Sequence, residues 1–276
     1  MGVLELLQGS IATNWPYSSL PITFVLCSGG LRNILYAFGL GYGFSMSASS
    51  LLTLWVDRPR LVSPSGMPTL PGCGAFLYLA YGARLATFLF RRQRSASYQP
   101  KLKSVAEKSE RMPLVARLCI TSFVAVSQTL YALPLHLVST LEAPNDELTV
   151  PSAACVALAA AGLVLEAAAD EQKLASKEQA PAAPVMSGLY RSCRHPNYLG
   201  EIAFHFGICG LLLAPASTGS VPWPQVALAA ASPLFMISVM LGAAQRLDKD
   251  QAERQRGDEK YEKWVQSTRS LIPTFF

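Results

Sequence analysis

Along the chain, long apolar blocks alternate with short charged ones. Six blocks read as membrane spans, at 34–56, 69–90, 113–138, 150–169, 199–214 and 225–245; a helical crossing takes about 20 residues. The pattern predicts an all-α fold, a polytopic membrane bundle of about six transmembrane helices. The apolar piece Leu20–Cys27 is too short to cross alone and reads as interfacial or re-entrant. The stretch 91–112 is too polar for a span and is expected to be a solvated linker near anionic headgroups. Gln179–Pro184 (QAPAAP) is a loop apex, because proline cannot continue a helix. Three regions follow: an N-terminal segment, 1–33, with an interfacial reading; the bundle, 34–245; and a cytosolic tail, 246–276, expected to close a cofactor site.

Composition agrees. Charged residues make up 15% of the chain, against about a quarter in a soluble domain. Lysine and arginine set the orientation. Loops 91–112 and 171–198 and the tail 246–276 hold eighteen of them, while the opposite side holds only Arg58 and Arg60. Both termini are therefore expected in the cytosol, with the endoplasmic reticulum or another organelle membrane as the location. The net charge of +5 is loop charge at helix ends, and no aromatic-basic interleaving marks a nucleic-acid partner. Six cysteines without a CxxC pair predict free thiols rather than disulfides or a metal site. The N-terminus shows no basic region of a secretory signal, so insertion is expected to begin with the first span.

Three polar groups fall on the positive side. Glu166, Asp170, Lys173 and Lys177 follow one another at helical spacing and share one face. Paired charges stabilising an exposed helix end would explain three of them, but Glu166 lies inside the apolar run AAAGLVLEAAAD. The second group is the string from Arg191 to Glu201. Pro196 suits a first helical turn. From there Asn197, Glu201 and His205 descend one face of an otherwise apolar helix, with Arg194 and Tyr198 paired beside them. Such a stripe calls for a hydrated or protein-lined cavity, although interhelical hydrogen bonding alone is a second explanation. His136, by contrast, reads as an isolated core residue. The third group is the tail, with Arg246, Asp248, Lys249, Tyr261, Trp264, Thr268 and Arg269; it lies on the membrane surface or folds back to close an anion pocket. Together these residues outline an amphiphilic site, open to a lipophilic small molecule from the bilayer and to a charged cofactor from the cytosol. Low-dielectric surroundings suit Glu201 to proton donation, with Tyr198 as a second donor, as reduction of an enone by a nicotinamide hydride requires.

The string GLYRSCRHPNYLGE, preceded by EAAADEQKLASK and followed by KYEKWVQSTRSLIP, resembles the steroid 5α-reductase C-terminal superfamily, and more closely its DUF1295 branch. YLAYGARLATFLFRR and QTLYALP resemble the same branch. The resemblance implies an all-helical NADPH-dependent membrane reductase acting on sterol or lipid enones. Asp170 then matches a cofactor-contacting acid, Asn197 the contact to the nicotinamide amide, and Glu201 the acid facing the substrate carbonyl. Arg194, His195 and Tyr198 belong to the same motif. His195 is expected to serve both catalysis and cofactor binding, with Lys173, Arg246, Lys249 and Tyr261 completing the cofactor set. The RHPxY string is shared with isoprenylcysteine carboxyl methyltransferases, which makes an S-adenosylmethionine-dependent methyltransferase the alternative; Glu201 speaks for the reductase. A non-catalytic subunit of a larger membrane complex is the third reading. Two departures stand out: Gln245–Gly257 is unusually charged, and Cys193 replaces a commoner serine.

Overall fold

The computed structural model describes residues 15–142 and 144–271; residues 1–14 of the expected N-terminal segment and the end of the tail, 272–276, lie outside it. The described residues form helices and no strand; Val62 with Pro68, and Cys193 with Arg269, make isolated bridges. The chain is all-α. Its helices are α1 Leu20–Cys27, α2 Tyr42–Val56, α3 Leu70–Arg94, α4 Gln99–Arg111, α5 Leu114–Tyr131, α6 Leu133–Ser139, α7 Val150–Gln179, α8 Pro196–Leu211, α9 Leu213–Ser217, α10 Trp223–Arg254 and α11 Glu259–Ser267. Among the described residues, five helical stretches are long and apolar enough to cross a membrane: α3, α5 with α6 (Leu114–Ser139), α7, α8 with α9 (Pro196–Ser217), and α10. This is the architecture of an integral, polytopic helical membrane protein.

The expected span 34–56 is not among the five. It is helical throughout, but a π-helical turn at Ala37–Gly41 interrupts it, and the α-helical part, α2, has 15 residues. At 1.5 Å per residue that part rises about 22 Å, short of a hydrocarbon layer of about 30 Å. Likewise, 91–112 is more than a linker. Pro100 in the first turn starts α4, whose Ser109 is fully buried and accepts from the Ile34 amide at 3.3 Å.

Contacts along the chain divide it into two units: the described residues of Met1–Val156 with Ile208–Pro233, and Ala157–Gly207 with those of Leu234–Phe276. In the first, α2 and α3 cross where Gly43 and Gly82 face one another, and a β-carbon on Gly82 would stand 2.5 Å from the Gly43 carbonyl oxygen. Close backbone approach through small residues is how membrane helices gain packing without a hydrophobic driving force. Tyr78 donates to the Tyr131 carbonyl at 3.0 Å, and Thr23 on α1 bonds the Ala125 carbonyl and the Thr129 hydroxyl of α5. His136 is not an isolated core residue: its Nδ1 lies 2.9 Å from an Asp57 oxygen, a partner far away in sequence.

In the second unit α7 and α8 meet at Gly162 and Gly200, where a β-carbon on either would strike the other helix's backbone. The 30 residues of α7 and 32 of α10 rise about 45 and 48 Å. Each therefore outruns the hydrocarbon and carries a polar extension.

Gly82→Val is expected to lower the melting temperature of the detergent-solubilised protein, by a stability loss of about 1–3 kcal/mol. An unchanged melting temperature would show that α2 and α3 do not depend on that contact.

Candidate functional site

The polar stripe read from the sequence sits on a real helix. Pro196 opens α8, and Asn197, Glu201 and His205 follow along it. His205 is completely buried and Asn197 nearly so. On α7, Glu166 and Asp170 are both buried, so they are no exposed-end ion pairs. Asn197 Nδ2 donates to Asp170 Oδ1 at 3.2 Å, tying α8 to α7, while Asn197 Oδ1 is buried with no hydrogen-bond partner among the described residues. Glu201 is partly buried, its Oε1 3.7 Å from His205 Nε2. The imidazole of His195 stacks on the Tyr198 ring, centroids 5.4 Å apart at 18°.

The loop leading into α8 is held to α7 before it reaches the site. Gln172 clamps it from both sides, donating to the Ser187 carbonyl at 2.7 Å and accepting from the Leu189 amide at 3.0 Å. Gly188 between them has φ +58°, and a β-carbon there would collide with the Gln172 amide. Tyr190, fully buried, donates to the Ala169 carbonyl at 3.2 Å. Burial pushes its phenol well above the ordinary range, and the Asp170 carboxylate adds to the shift, so Tyr190 acts as a donor. Lys173 lies over its ring at 6.0 Å.

The tail folds back. After the turn at Gly257, Asp258 caps α11 by accepting from the Lys260 and Tyr261 amides. Trp264 then donates to the Tyr190 carbonyl at 2.9 Å. Beyond α11 the backbone runs beside residues 193–195: the Arg194 amide donates to the Arg269 carbonyl and the His195 amide to the Ser270 carbonyl, both at 3.0 Å. Cys193 sends its thiol toward the Ser270 and Leu271 carbonyls at 3.4 and 3.3 Å. Burial pushes that thiol upward, against the Arg194 charge, so it is a packed donor and not a nucleophile.

Asp248, on the polar extension of α10, gathers these pieces. One of its oxygens accepts from Arg194 Nε at 3.0 Å and lies 2.8 Å from His195 Nε2. The other accepts from Arg194 Nη2 at 3.1 Å and Ser270 Oγ at 2.7 Å. Arg194 Nη1 reaches the carbonyls of Thr268 and Val265. Of the sequence-predicted residues, the structure thus joins Asp170 to Asn197, and His195 to Arg194 through Asp248 and to Tyr198 by stacking. Arg194 is engaged by Asp248 and the tail. Arg246 and Lys249 are exposed on α10. Lys249 and the buried Tyr261 line a 740 Å³ cleft, with Arg256 and Glu262. Burial raises the Tyr261 phenol, with Asp248 adding to it and Arg194 opposing.

The sequence placed Asp248 in the charged tail without marking it from its neighbours, and gave no role to Ser270, Gln172 or Tyr190. Of the two courses the tail's composition allowed, along the membrane surface or folded back, the structure takes the second; nothing local distinguishes Asp248 from its neighbour Asp250.

The family described as a protein of unknown function (DUF1295) matches residues 69–268, the greater part of the chain. The chain belongs to the DUF1295 family. The match takes in α7, α8, α10 and α11, so every residue of the group around Asp248 except Ser270 lies within it. No curated protein and no solved structure matches the chain.

Burial pulls His195 below its ordinary value of 6.5; Lys173 and Arg194 act in the same sense, while Asp248 opposes. The unfolded chain therefore takes up a proton near pH 6.5 that the folded chain resists until lower pH. The stability His195 contributes is complete above about pH 6.5 and is lost as pH falls through the lower, folded value. In melts between about pH 8 and 5, His195→Gln should lose less stability on acidification than the wild type. Parallel curves would refute this.

Proposed function

We propose that this DUF1295 protein is a membrane-embedded reductase that uses NADPH to reduce a double bond in a lipophilic, enone-like substrate, and that it shares the chemistry of the steroid 5α-reductase superfamily. The observation that carries the reading is Asn197, buried and fixed by Asp170, with its Oδ1 unpartnered one helical turn before Glu201. A buried acceptor without a donor costs about 1–3 kcal/mol. His195 Nδ1 is a second such atom. The nicotinamide carboxamide carries two N–H donors, so the acceptors fit that group. Asn197 and His195 would hold the carboxamide, and Lys173, Arg246 and Lys249 supply positive charge for phosphates. A bound dihydronicotinamide supplies the hydride. Glu201 donates the proton or hydrogen-bonds the substrate carbonyl, and Tyr198 is the second donor. The eighteen basic residues on one side against two on the other favour a cytosolic site and a cytosolic C-terminal tail, with the endoplasmic reticulum or another organelle membrane as the compartment.

The protein in detergent, melted with NADPH, NADH and S-adenosylmethionine separately, is expected to be stabilised by NADPH alone. Glu201→Gln should keep that stabilisation and lower enone turnover by about 100-fold or more. Stabilisation by S-adenosylmethionine alone would make the protein a methyltransferase. A folded protein that responds to none of the three points to a structural subunit.

A further inference from the structure

The group around Asp248 contains a proton whose place the geometry decides. The two N–H donors of Arg194 and the Ser270 hydroxyl bind the Asp248 carboxyl at 3.0, 3.1 and 2.7 Å. A carboxyl held this way by a guanidinium is ionised and can only accept. At the 2.8 Å contact with His195 Nε2, the imidazole must then be the donor. In the neutral ring that leaves Nδ1 without a proton. The His195 side chain is 1% exposed, and Nδ1 has no partner among the described residues. The ring cannot turn away easily, since it is stacked on Tyr198 and its own amide is bound to Ser270.

We infer that Asp248 is a positioning residue of the site: it fixes His195 as the Nε2–H tautomer and so presents Nδ1 as a buried acceptor for a hydrogen-bond donor on the ligand. The tautomer follows from the chain itself; the identity of the donor, a carboxamide N–H, rests on the nicotinamide reading. Because Arg194, His195 and Ser270 share one carboxylate, seating the C-terminal tail and setting the tautomer become one event. The site is complete only with the tail docked.

The chain has three histidines, so selective ¹⁵N-histidine labelling of the full-length protein in detergent gives few ring signals, and His195→Gln assigns the relevant pair. The wild type should show Nε2 protonated and Nδ1 bare. In Asp248→Asn the carboxamide can donate to Nε2, which moves the ring proton to Nδ1; Asp248→Glu should restore the original pattern. Affinity for NADPH should fall about tenfold in the asparagine variant and recover in the glutamate one. A protonated Nδ1 in the wild type overturns the inference, as does an unchanged tautomer in folded Asp248→Asn. The wild-type spectrum alone decides the first point even if that variant fails to fold. If NADPH stabilises the protein yet leaves the Nδ1 signal in place, Nδ1 is not a ligand acceptor. If NADPH gives no stabilisation while the tautomer pattern holds, the cofactor reading falls and the role of Asp248 in setting the ring stands.

Discussion

Four donors from two separate stretches of chain converge on the two oxygens of Asp248: two from Arg194, one from His195 and one from Ser270. The carboxylate is still about a quarter exposed, so the Coulombic part of the Arg194 pair is moderated by solvent. Its geometry is what matters. A bidentate guanidinium allows one relative orientation of carboxylate and arginine. That orientation aims the remaining arginine nitrogen at the tail carbonyls and the neighbouring imidazole at the second lone pair. Residues 193–195, the end of α10 and the segment after α11 are thereby fixed together. Without that carboxylate, the guanidinium and the imidazole would be left largely buried with their donors unmatched, a state that costs more than the pair itself contributes.

A second constraint acts at the α7–α8 crossing. Asn197, Glu166 and Asp170 are polar and buried, and in an apolar helix such groups face protein because facing lipid is costly. Gly162 and Gly200 make that possible by letting the two backbones approach closely enough for Asn197 to reach Asp170. Further along the same helix, Gln172 and Gly188 hold the incoming loop. The stripe on α8 and the clamps on α7 serve one arrangement: a short polar seam in two otherwise apolar helices, lined by side chains whose positions leave little freedom.

How much of this the sequence showed depends on distance along the chain. Asn197, Glu201 and His205 were legible because intramembrane polar residues at helical spacing are rare and costly, and Pro196 marked where their helix begins. Glu166 stood out for the same reason. Asp248 did not, because a charged helix end carrying Asp248, Asp250 and Glu253 gives no local reason to choose among them. The choice is made by a fold-back that brings residues 194 and 248 together. The same holds for His136, whose partner Asp57 lies 79 residues away, and for α4, whose buried Ser109 face emerges only once Ile34 is placed against it. The run expected at 34–56 is helical but not one continuous α-helix, for a local reason that composition hides: Gly39, Gly41 and Gly43 are apolar to a hydropathy window but weak helix formers, and the π turn falls among them.

The polar atoms that the fold leaves unpaired bear on function more directly than those it pairs. Within a few residues Arg194 satisfies three acceptor groups and Asp248 receives four donors, so this region does not lack capacity for internal pairing. Yet His195 Nδ1 and Asn197 Oδ1 stay buried and unmatched. Each costs about 1–3 kcal/mol, a large part of a marginal folding stability of about 5–15 kcal/mol. What sets these two apart from other unmatched buried atoms is that they lie two residues apart, beside Glu201 and the docked tail. A binding site gains from them, because a ligand that brings the missing donors recovers that energy on binding, and a ligand without them does not. Rejection of the wrong ligand is then built into the apo protein, as in sites that discriminate by leaving their own polar groups unpaired. On the proposed reductase reading, this favours a cofactor with fixed N–H donors over a purely lipidic occupant, with selectivity set by residues 195–197, where the tail and α8 are joined.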